Sequence, residues 1–423
     1  MQLSMSIRTL IFWIAGGLAG IVVISWVVWF LFFKGAVAPQ TSNTALNGGL
    51  GLSSNTQGTG SIGGASGAQT NQTATIGGAN SGQVVFKIAD GPISGATFTQ
   101  TFSPTTTLAR YVLQENGHVM DQPIDVPGSL ARAVSNTTIP GTQQVVWGNG
   151  GSSAFMQYVD SGTVKTVSLI FPTATTSKPA VDQPVEIQFL PDNATAVAVS
   201  PDGTQVAYLL QTASGSNGYV ANIDGGNAKK LFSIGLKELL LSWPSAHVLL
   251  LSTKSAAGAP GMAFSVDAKT GTIVPLIYAD GLTATADPSF AEIIYRAESD
   301  GAPGAFLHNI KQGTDVPLSF SPIPEKCVWS NEATSTLYCA SPIQYTPGNY
   351  LDLWHMGLSS AADSIISFMP SSLSLKTRAI AVPGSSDGGE QSDILELAVS
   401  PDGRYLLFIT KGDRSLWGVR LPQ

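Results

Sequence analysis

Short apolar segments alternate with polar turns along most of the chain after residue 83. The sharpest turn is Ser-Pro-Asp-Gly at residues 200–203, with apolar segments on both sides, and the same turn recurs at residues 400–403. Proline fixes φ, aspartate accepts hydrogen bonds from the following backbone, and glycine adopts the positive φ of a tight hairpin. The pattern therefore predicts antiparallel hairpins, and its two copies indicate a repeat.

The pattern of an apolar segment, a small polar turn and a second apolar segment recurs with other turn residues at five further places: Ser103-Pro104, Gly148-Asn149, Pro244-Ser245, Asp287-Pro288 and Ser330-Asn331. Consecutive turns are therefore separated by 45, 52, 44, 43, 43 and 70 residues. A step near 44 residues is typical of a four-stranded β-propeller blade, which takes about 40 to 50 residues. Three of the turns are preceded by Trp147, Trp243 and Trp329, which we interpret as packing between blades in preference to ligand contacts.

The last blade is incomplete at the C-terminus, where the chain supplies only three strands, at residues 395–399, 405–409 and 416–421. Residues 84–88 are apolar and can supply the missing fourth strand. A strand from each end of the repeat region then closes the ring and leaves no exposed sheet edge. The sequence therefore predicts an all-β fold, a seven-bladed β-propeller over residues 83–423.

The N-terminal part has a different composition. Residues 9–33 carry no charge and span about 37 Å as a helix, enough to cross a hydrocarbon core of about 30 Å. Residues 1–34 are therefore predicted to hold a cytoplasmic tip and a transmembrane helix, with the N-terminus inside and the ring extracytoplasmic. A cleaved signal peptide is the rival interpretation, which Pro39 disfavours because it directly follows the small-residue motif at 36–38. Residues 35–82 are uncharged and polar, and are predicted to be a flexible linker.

The charge balance disfavours a nucleic-acid partner. The chain has 21 basic and 28 acidic residues, a net charge of −7, and all of the acidic residues follow Gln83. Because Arg8 and Lys34 precede that point, the ring region carries 19 minus 28, or −9. The sequence contains no run of lysines and arginines of the kind that binds phosphate backbones.

The Ser-Pro-Asp-Gly hairpins, such as Val-Ala-Val-Ser-Pro-Asp-Gly at 197–203 followed by Val-Ala-Tyr at 206–208, resemble the WD40-like or TolB-type propeller repeat of bacterial envelope proteins. The resemblance covers residues 83–423, and the whole chain looks like a single-pass bacterial membrane protein that carries such a ring. It implies a propeller that binds other proteins. Some members also carry a hydrolase domain, for which this chain leaves no residues.

The long step before the last turn indicates an insertion of about 26 residues after residue 341. It contains Tyr345, Tyr350, Trp354 and His355, which we take as the candidate binding residues because loops with aromatic side chains suit protein or glycan contacts. The alternative is that the insertion folds over the ring and buries these side chains for stability.

Cys327 and Cys339 are the only cysteines, and they lie on the two strands of one predicted hairpin. Outside the cytoplasm this placement predicts a disulfide, and a reduced buried pair is the alternative. The four histidines are scattered over different repeats and none has metal-ligand spacing. We therefore predict no metal, no cofactor and no catalytic residue.

These patterns favour a membrane-tethered extracytoplasmic propeller that binds or scaffolds a protein or glycan of the cell envelope. One alternative is an envelope hydrolase or lyase that acts on glycans or peptides, which requires two carboxylates from different blades to meet in the channel. A second alternative is a passive structural spacer. We expect contact with the membrane through residues 9–33 and none with nucleic acid.

Overall fold

The structure is a computed structural model that describes residues 84–100, 106–135, 137–171, 185–299, 302–330, 335–344, 349–372, 374–381 and 392–421. Within these residues the strands form seven antiparallel sheets of four strands each. Each sheet is one blade, so the predicted all-β, seven-bladed propeller is confirmed.

Blades 1 to 6 are each built from four consecutive strands, and their first strands lie at the inner edge. Blade 1 comprises β2 (Ile93–Gln100), β3 (Thr107–Leu113), β4 (Val119–Pro123) and β5 (Arg132–Ser135), and blade 2 comprises β6 (Gln144–Trp147), β7 (Ser153–Asp160), β8 (Thr163–Ile170) and β9 (Glu186–Phe189). Blade 3 comprises β10 (Ala194–Val199), β11 (Gln205–Thr212), β12 (Gly215–Asn222) and β13 (Lys229–Ile234), and blade 4 comprises β14 (Leu239–Ser245), β15 (Val248–Thr253), β16 (Pro260–Asp267) and β17 (Ile273–Asp280). Blade 5 comprises β18 (Thr283–Ala286), β19 (Glu292–Ser299), β20 (Ala302–Asn309) and β21 (Thr314–Pro317), and blade 6 comprises β22 (Cys327–Trp329), β23 (Leu337–Pro342), β24 (Asp363–Met369) and β25 (Ser374–Ala381).

Blade 7 joins the two ends of the ring. It consists of β26 (Ile394–Val399), β27 (Tyr405–Thr410), β28 (Leu416–Arg420) and, as its outermost strand, β1 (Val85–Ala89). Phe86 pairs with Gly418 and is fully buried, and a Cβ atom added at Gly418 would lie 2.4 Å from the Phe86 ring. Glycine therefore provides the space that the closing strand needs, and the predicted closure is confirmed.

The two Ser-Pro-Asp-Gly turns fold as their chemistry predicts. Ser200 Oγ donates a hydrogen bond to Asp202 Oδ1 at 2.6 Å, and the Gln205 N–H donates to Ser200 Oγ at 2.9 Å. Ser400 repeats both bonds within its own turn at the same distances. Gly203 has a φ of +73° and Gly403 a φ of +65°. Both turns connect the first strand of a blade to the second.

Strand alternation divides the loops between two faces of the ring. We call the side that carries the first-to-second and third-to-fourth strand turns the turn face, which includes residues 200–203 and 400–403. We call the opposite side, with the second-to-third strand turns and the connections between blades, the insertion face. The Ser103-Pro104 turn and Asn331 lie outside the described residues.

The hydrophobic core lies between neighbouring blades. Trp243 packs with Ala198 and Ala207 of blade 3, and Trp329 packs with Ile294 of blade 5. Trp147 is half-buried and packs against the core between blades 1 and 2. The three tryptophans before the turns therefore contribute packing between blades, as predicted.

The disulfide is confirmed, with Cys327 on β22 directly opposite Cys339 on β23 and an S–S distance of 2.04 Å. The predicted transmembrane helix at 9–33, the linker at 35–82 and the domain boundaries between them lie outside the described residues. Within the residues that the structure describes, no helix combines the length and apolar character needed to span a bilayer.

Candidate functional site

The mouth of the central channel opens on the turn face as a cavity of about 620 Å³. All seven blades contribute residues to its wall. In order from blade 1 to blade 7, one example from each is Phe98, Trp147, Ser200, Trp243, Pro288, Trp329 and Ser400. None of the described residues in this wall is an aspartate, glutamate, lysine, arginine or histidine. The described part of the channel mouth therefore offers apolar surface and neutral hydrogen-bonding groups.

A second cavity of about 620 Å³ lies beside the channel mouth, between the turns of blades 3 and 4, and we call it the lysine groove. Lys229 and Lys230 at the start of β13 and Lys269 in the turn after β16 line it. All three are exposed, and none forms an ion pair within the described residues. Ala246 lines both cavities, so the lysine groove adjoins the channel mouth at this residue.

Asp267 is the acidic residue in the wall of the lysine groove, and its carboxylate accepts hydrogen bonds from its own turn. The Thr270 N–H and hydroxyl donate to Asp267 Oδ1 at 2.6 and 2.9 Å, and the Lys269 N–H donates to it at 3.0 Å. These bonds, with His247 nearby, lower the pKa of the carboxyl. One carboxylate, already hydrogen-bonded within its turn, therefore lies beside three lysines. The groove carries a net positive charge in a protein that is acidic overall.

The predicted insertion lies between β23 and β24 on the insertion face and contains helix α1 (Tyr350–His355). Tyr350 is 3% exposed, and burial raises the pKa of its hydroxyl above the usual range. Trp354 Nε1 donates to both carboxylate oxygens of Asp393, at 3.1 and 2.9 Å. His355 Nε2 lies 2.7 Å from Glu325 Oε2. α1 is thus held by residues that precede the inner strands of blades 6 and 7.

Three of the four candidate binding residues therefore lie on one helix, where Tyr350 is buried and Trp354 and His355 contact acidic residues of the ring. Tyr345 lies outside the described residues. Met356 and Leu358, just after α1, are 61% and 72% exposed. Contact with a partner through Tyr350, Trp354 and His355 stays a prediction.

An ionic cluster of Lys326, Asp363, Asp393 and Lys411 lies beneath α1. Lys326 has no exposed surface, and its Nζ donates to Asp363 Oδ2 at 2.8 Å and to Asp393 Oδ1. Asp363 Oδ2 also accepts from the Ile394 N–H at 2.8 Å, while its Oδ1 has no hydrogen-bond partner in the described part of the chain. Burial raises the pKa of Asp363 to about 6, and Lys326 opposes that rise.

Two carboxylates from different blades do meet here, since Asp363 begins β24 of blade 6 and Asp393 precedes β26 of blade 7. Both are buried, and Lys326 pairs with both. In the described part of the chain these carboxylates are closed to solvent, and Asp393 binds Trp354 of the insertion. No group of three histidine, cysteine, aspartate or glutamate side chains with metal-binding geometry occurs among the described residues.

Sequence reasoning did not find either charged site. Asp363 and Asp393 lie 37 and 67 positions from Lys326, and Lys269 lies 40 positions from Lys229. The one available signal was that Lys326 directly precedes the inner strand of blade 6.

No protein-family model matches the chain, and no curated protein matches its sequence. Among solved structures, the chain is similar to an oligogalacturonate lyase in complex with manganese, with a TM-score of 0.49 and 10% identity over 79% of this chain and 99% of that one. An oligogalacturonate lyase from Vibrio parahaemolyticus has a TM-score of 0.48 and 9% identity over 80% and 97%. TolB from Acinetobacter baumannii has a TM-score of 0.38 and 10% identity over 78% of this chain and 63% of that one. At these identities the likeness concerns the propeller fold.

Proposed function

We propose that the protein is a membrane-tethered, extracytoplasmic β-propeller that binds a glycan or protein of the cell envelope through its turn face. The channel mouth and the lysine groove lie side by side on the turn face and adjoin at Ala246, and this adjacency supports the proposal. A neutral, partly aromatic opening beside a cationic groove suits a ligand with both uncharged and anionic parts.

The composition of the two cavities supports binding more than catalysis. The described residues in the wall of the channel mouth are apolar or neutral, and groups of this kind bind a ligand without acting as a general acid or base. In the lysine groove, Gln205, Asn222 and Asn227 add amide groups that can form hydrogen bonds with hydroxyl or peptide groups. The tether and the extracytoplasmic location rest on the apolar segment at 9–33 and the pattern around it.

A pull-down from crosslinked cell envelopes tests the proposal. The full chain with Lys229→Glu, Lys230→Glu and Lys269→Glu should lose its partner, because the groove then repels an anionic ligand. The matched control carries the same charge change at three exposed lysines outside the groove, Lys237→Glu, Lys254→Glu and Lys311→Glu, and should keep the partner.

A second variant, Met356→Asp with Leu358→Asp, tests the insertion face. If this variant alone loses the partner, binding belongs to the insertion and the turn-face assignment is wrong. If neither variant changes the recovery of any envelope component, the proposed binding function is wrong and the passive spacer remains.

A further inference from the structure

The buried surroundings of Lys326 combine a nucleophile, an electrophile and a proton carrier. Lys326 Nζ contacts carboxylates on two different blades, Asp363 and Asp393, and all three side chains are almost completely removed from water. The Trp354 ring covers the amine, with Nζ 4.8 Å from the ring centroid. Three charged groups in such a site are costly, because burial removes the hydration that stabilises each charge.

We propose that Lys326 and Asp393 form an intramolecular isopeptide bond, with Asp363 as the group that carries protons during its formation. This inference concerns a covalent modification of the chain and does not depend on the proposed binding function.

The reaction requires an amine and a carboxylic acid. One proton passes from the Lys326 ammonium to the Asp393 carboxylate, and the product has no charges that need hydration in this buried site. The reacting groups are already in contact, which removes most of the entropy cost of bringing an amine to a carboxyl carbon. Asp363 can hold a proton near neutral pH, because burial raises its pKa to about 6.

The Nζ lone pair then attacks Cγ of Asp393. Asp363 donates its proton to the departing Oδ1 hydroxyl and accepts one proton from Nζ, so it ends in its starting state. The Cγ–Oδ1 bond breaks, the Nζ–Cγ bond remains, and one water molecule leaves. Overall an ammonium and a carboxylate become a secondary amide and water, with no oxidation or reduction.

One hydrogen-bond donor and one positive charge are placed to stabilise the negative charge that develops on Asp393 Oδ2 during the attack. Trp354 Nε1 lies 2.9 Å from this oxygen, and Lys411 Nζ lies 3.6 Å from it. Such groups lower the energy of a tetrahedral intermediate when they are in place before the reaction. The bond would join the connection before blade 6 to the connection before blade 7, directly beside the disulfide of Cys327.

Intact-mass spectrometry of the purified, reduced full chain is the first test. The expected mass is lower than the sequence mass by about 18 Da, the mass of one water molecule. Trypsin should fail to cleave after Lys326, and residues 312–376 should be recovered covalently joined to residues 379–404. The exposed pair Lys165–Asp192, with an Nζ–Oδ2 distance of 2.7 Å, is the control in the same digest, and it should stay uncoupled because both groups are hydrated.

Asp363→Asn should restore the full mass while Lys326 and Asp393 are both still present, and Lys326→Arg should do the same. A wild-type chain at full mass, with normal cleavage after Lys326, would overturn the proposal even if both variants failed to fold. A bond between Lys326 and Asp363 in place of Asp393 would contradict the assigned roles. The pull-down reports on a different face, so either proposal can fail while the other stands.

Discussion

The side chain of Glu396 is half-buried on β26, the inner strand of blade 7. Burial raises the pKa of this carboxyl to about 7, and nearby Arg414 opposes the rise. The pKa in the folded protein therefore exceeds the value of about 4.3 expected in the unfolded chain. Between these values the folded protein binds more protons, so this residue makes the free energy of unfolding fall as pH rises from about 4 to about 7.

Glu396→Gln removes this dependence because glutamine does not titrate. We expect the variant to be more stable than the wild type by about 1–2 kcal/mol at pH of about 8, and equally stable at pH of about 3, where the carboxyl is protonated in both states. Urea unfolding at the two pH values measures the difference. Glu186→Gln, at an exposed position on β9, is the control and should change the free energy by less than about 0.5 kcal/mol. A destabilised Glu396→Gln variant at the higher pH would contradict the assignment.

At the scale of single elements, the hairpin of β22 and β23 carries a covalent link between directly opposed residues. Cys327 and Cys339 are separated by 12 positions, so the disulfide closes a short loop in the unfolded chain. Restricting a loop of this size contributes about 2–3 kcal/mol to stability.

Reduction of this disulfide should therefore lower the free energy of unfolding by about 2–3 kcal/mol, measured by urea unfolding with and without dithiothreitol. The double variant Cys327→Ser with Cys339→Ser should unfold at the lower value under both conditions. If dithiothreitol also lowered the free energy of unfolding of the double variant, the loss of stability would come from a cause other than this disulfide.

The closing strand β1 and the outermost strand β9 of blade 2 each carry a phenylalanine, in opposite environments. Phe86 has no exposed surface, whereas Phe189 is 64% exposed. Phe86→Ala should lower the free energy of unfolding by about 3–5 kcal/mol, because it leaves a cavity against Gly418 in the core of blade 7. Phe189→Ala should change it by less than about 0.5 kcal/mol. Equal effects of the two substitutions would be incompatible with a closed ring.

At the scale of the whole molecule, the features that could be predicted from the sequence are those that depend on residues close together in the chain. Ser200, Asp202 and Gly203 interact within one turn, so a few adjacent residues suffice to recognise the hairpin and count the blades. The ring closure was also predictable, since a blade with three strands needs a fourth. Lys326 and Asp393 depend on contacts between blades, and no local pattern encodes the meeting of loops from two neighbouring blades. The insertion was located by its length, while the internal partners of Trp354 required the structure.

The ring closure gives a test on the whole molecule, because β1 is the strand that covers the edge of β28. A chain that begins at residue 91 lacks β1 and exposes the β28 edge with Trp417, which is 4% exposed in the closed ring. Exposed edges pair with other chains, so we expect this truncated protein to self-associate in size-exclusion chromatography, whereas a chain that begins at residue 84 should elute as the closed ring does. A peptide of residues 83–90 should restore the elution volume by filling the vacant strand position. The same peptide with Phe86→Asp should not, because it would place a charge in the buried pocket beside Gly418. Normal elution of the truncated protein without peptide would mean that blade 7 is complete without its N-terminal strand.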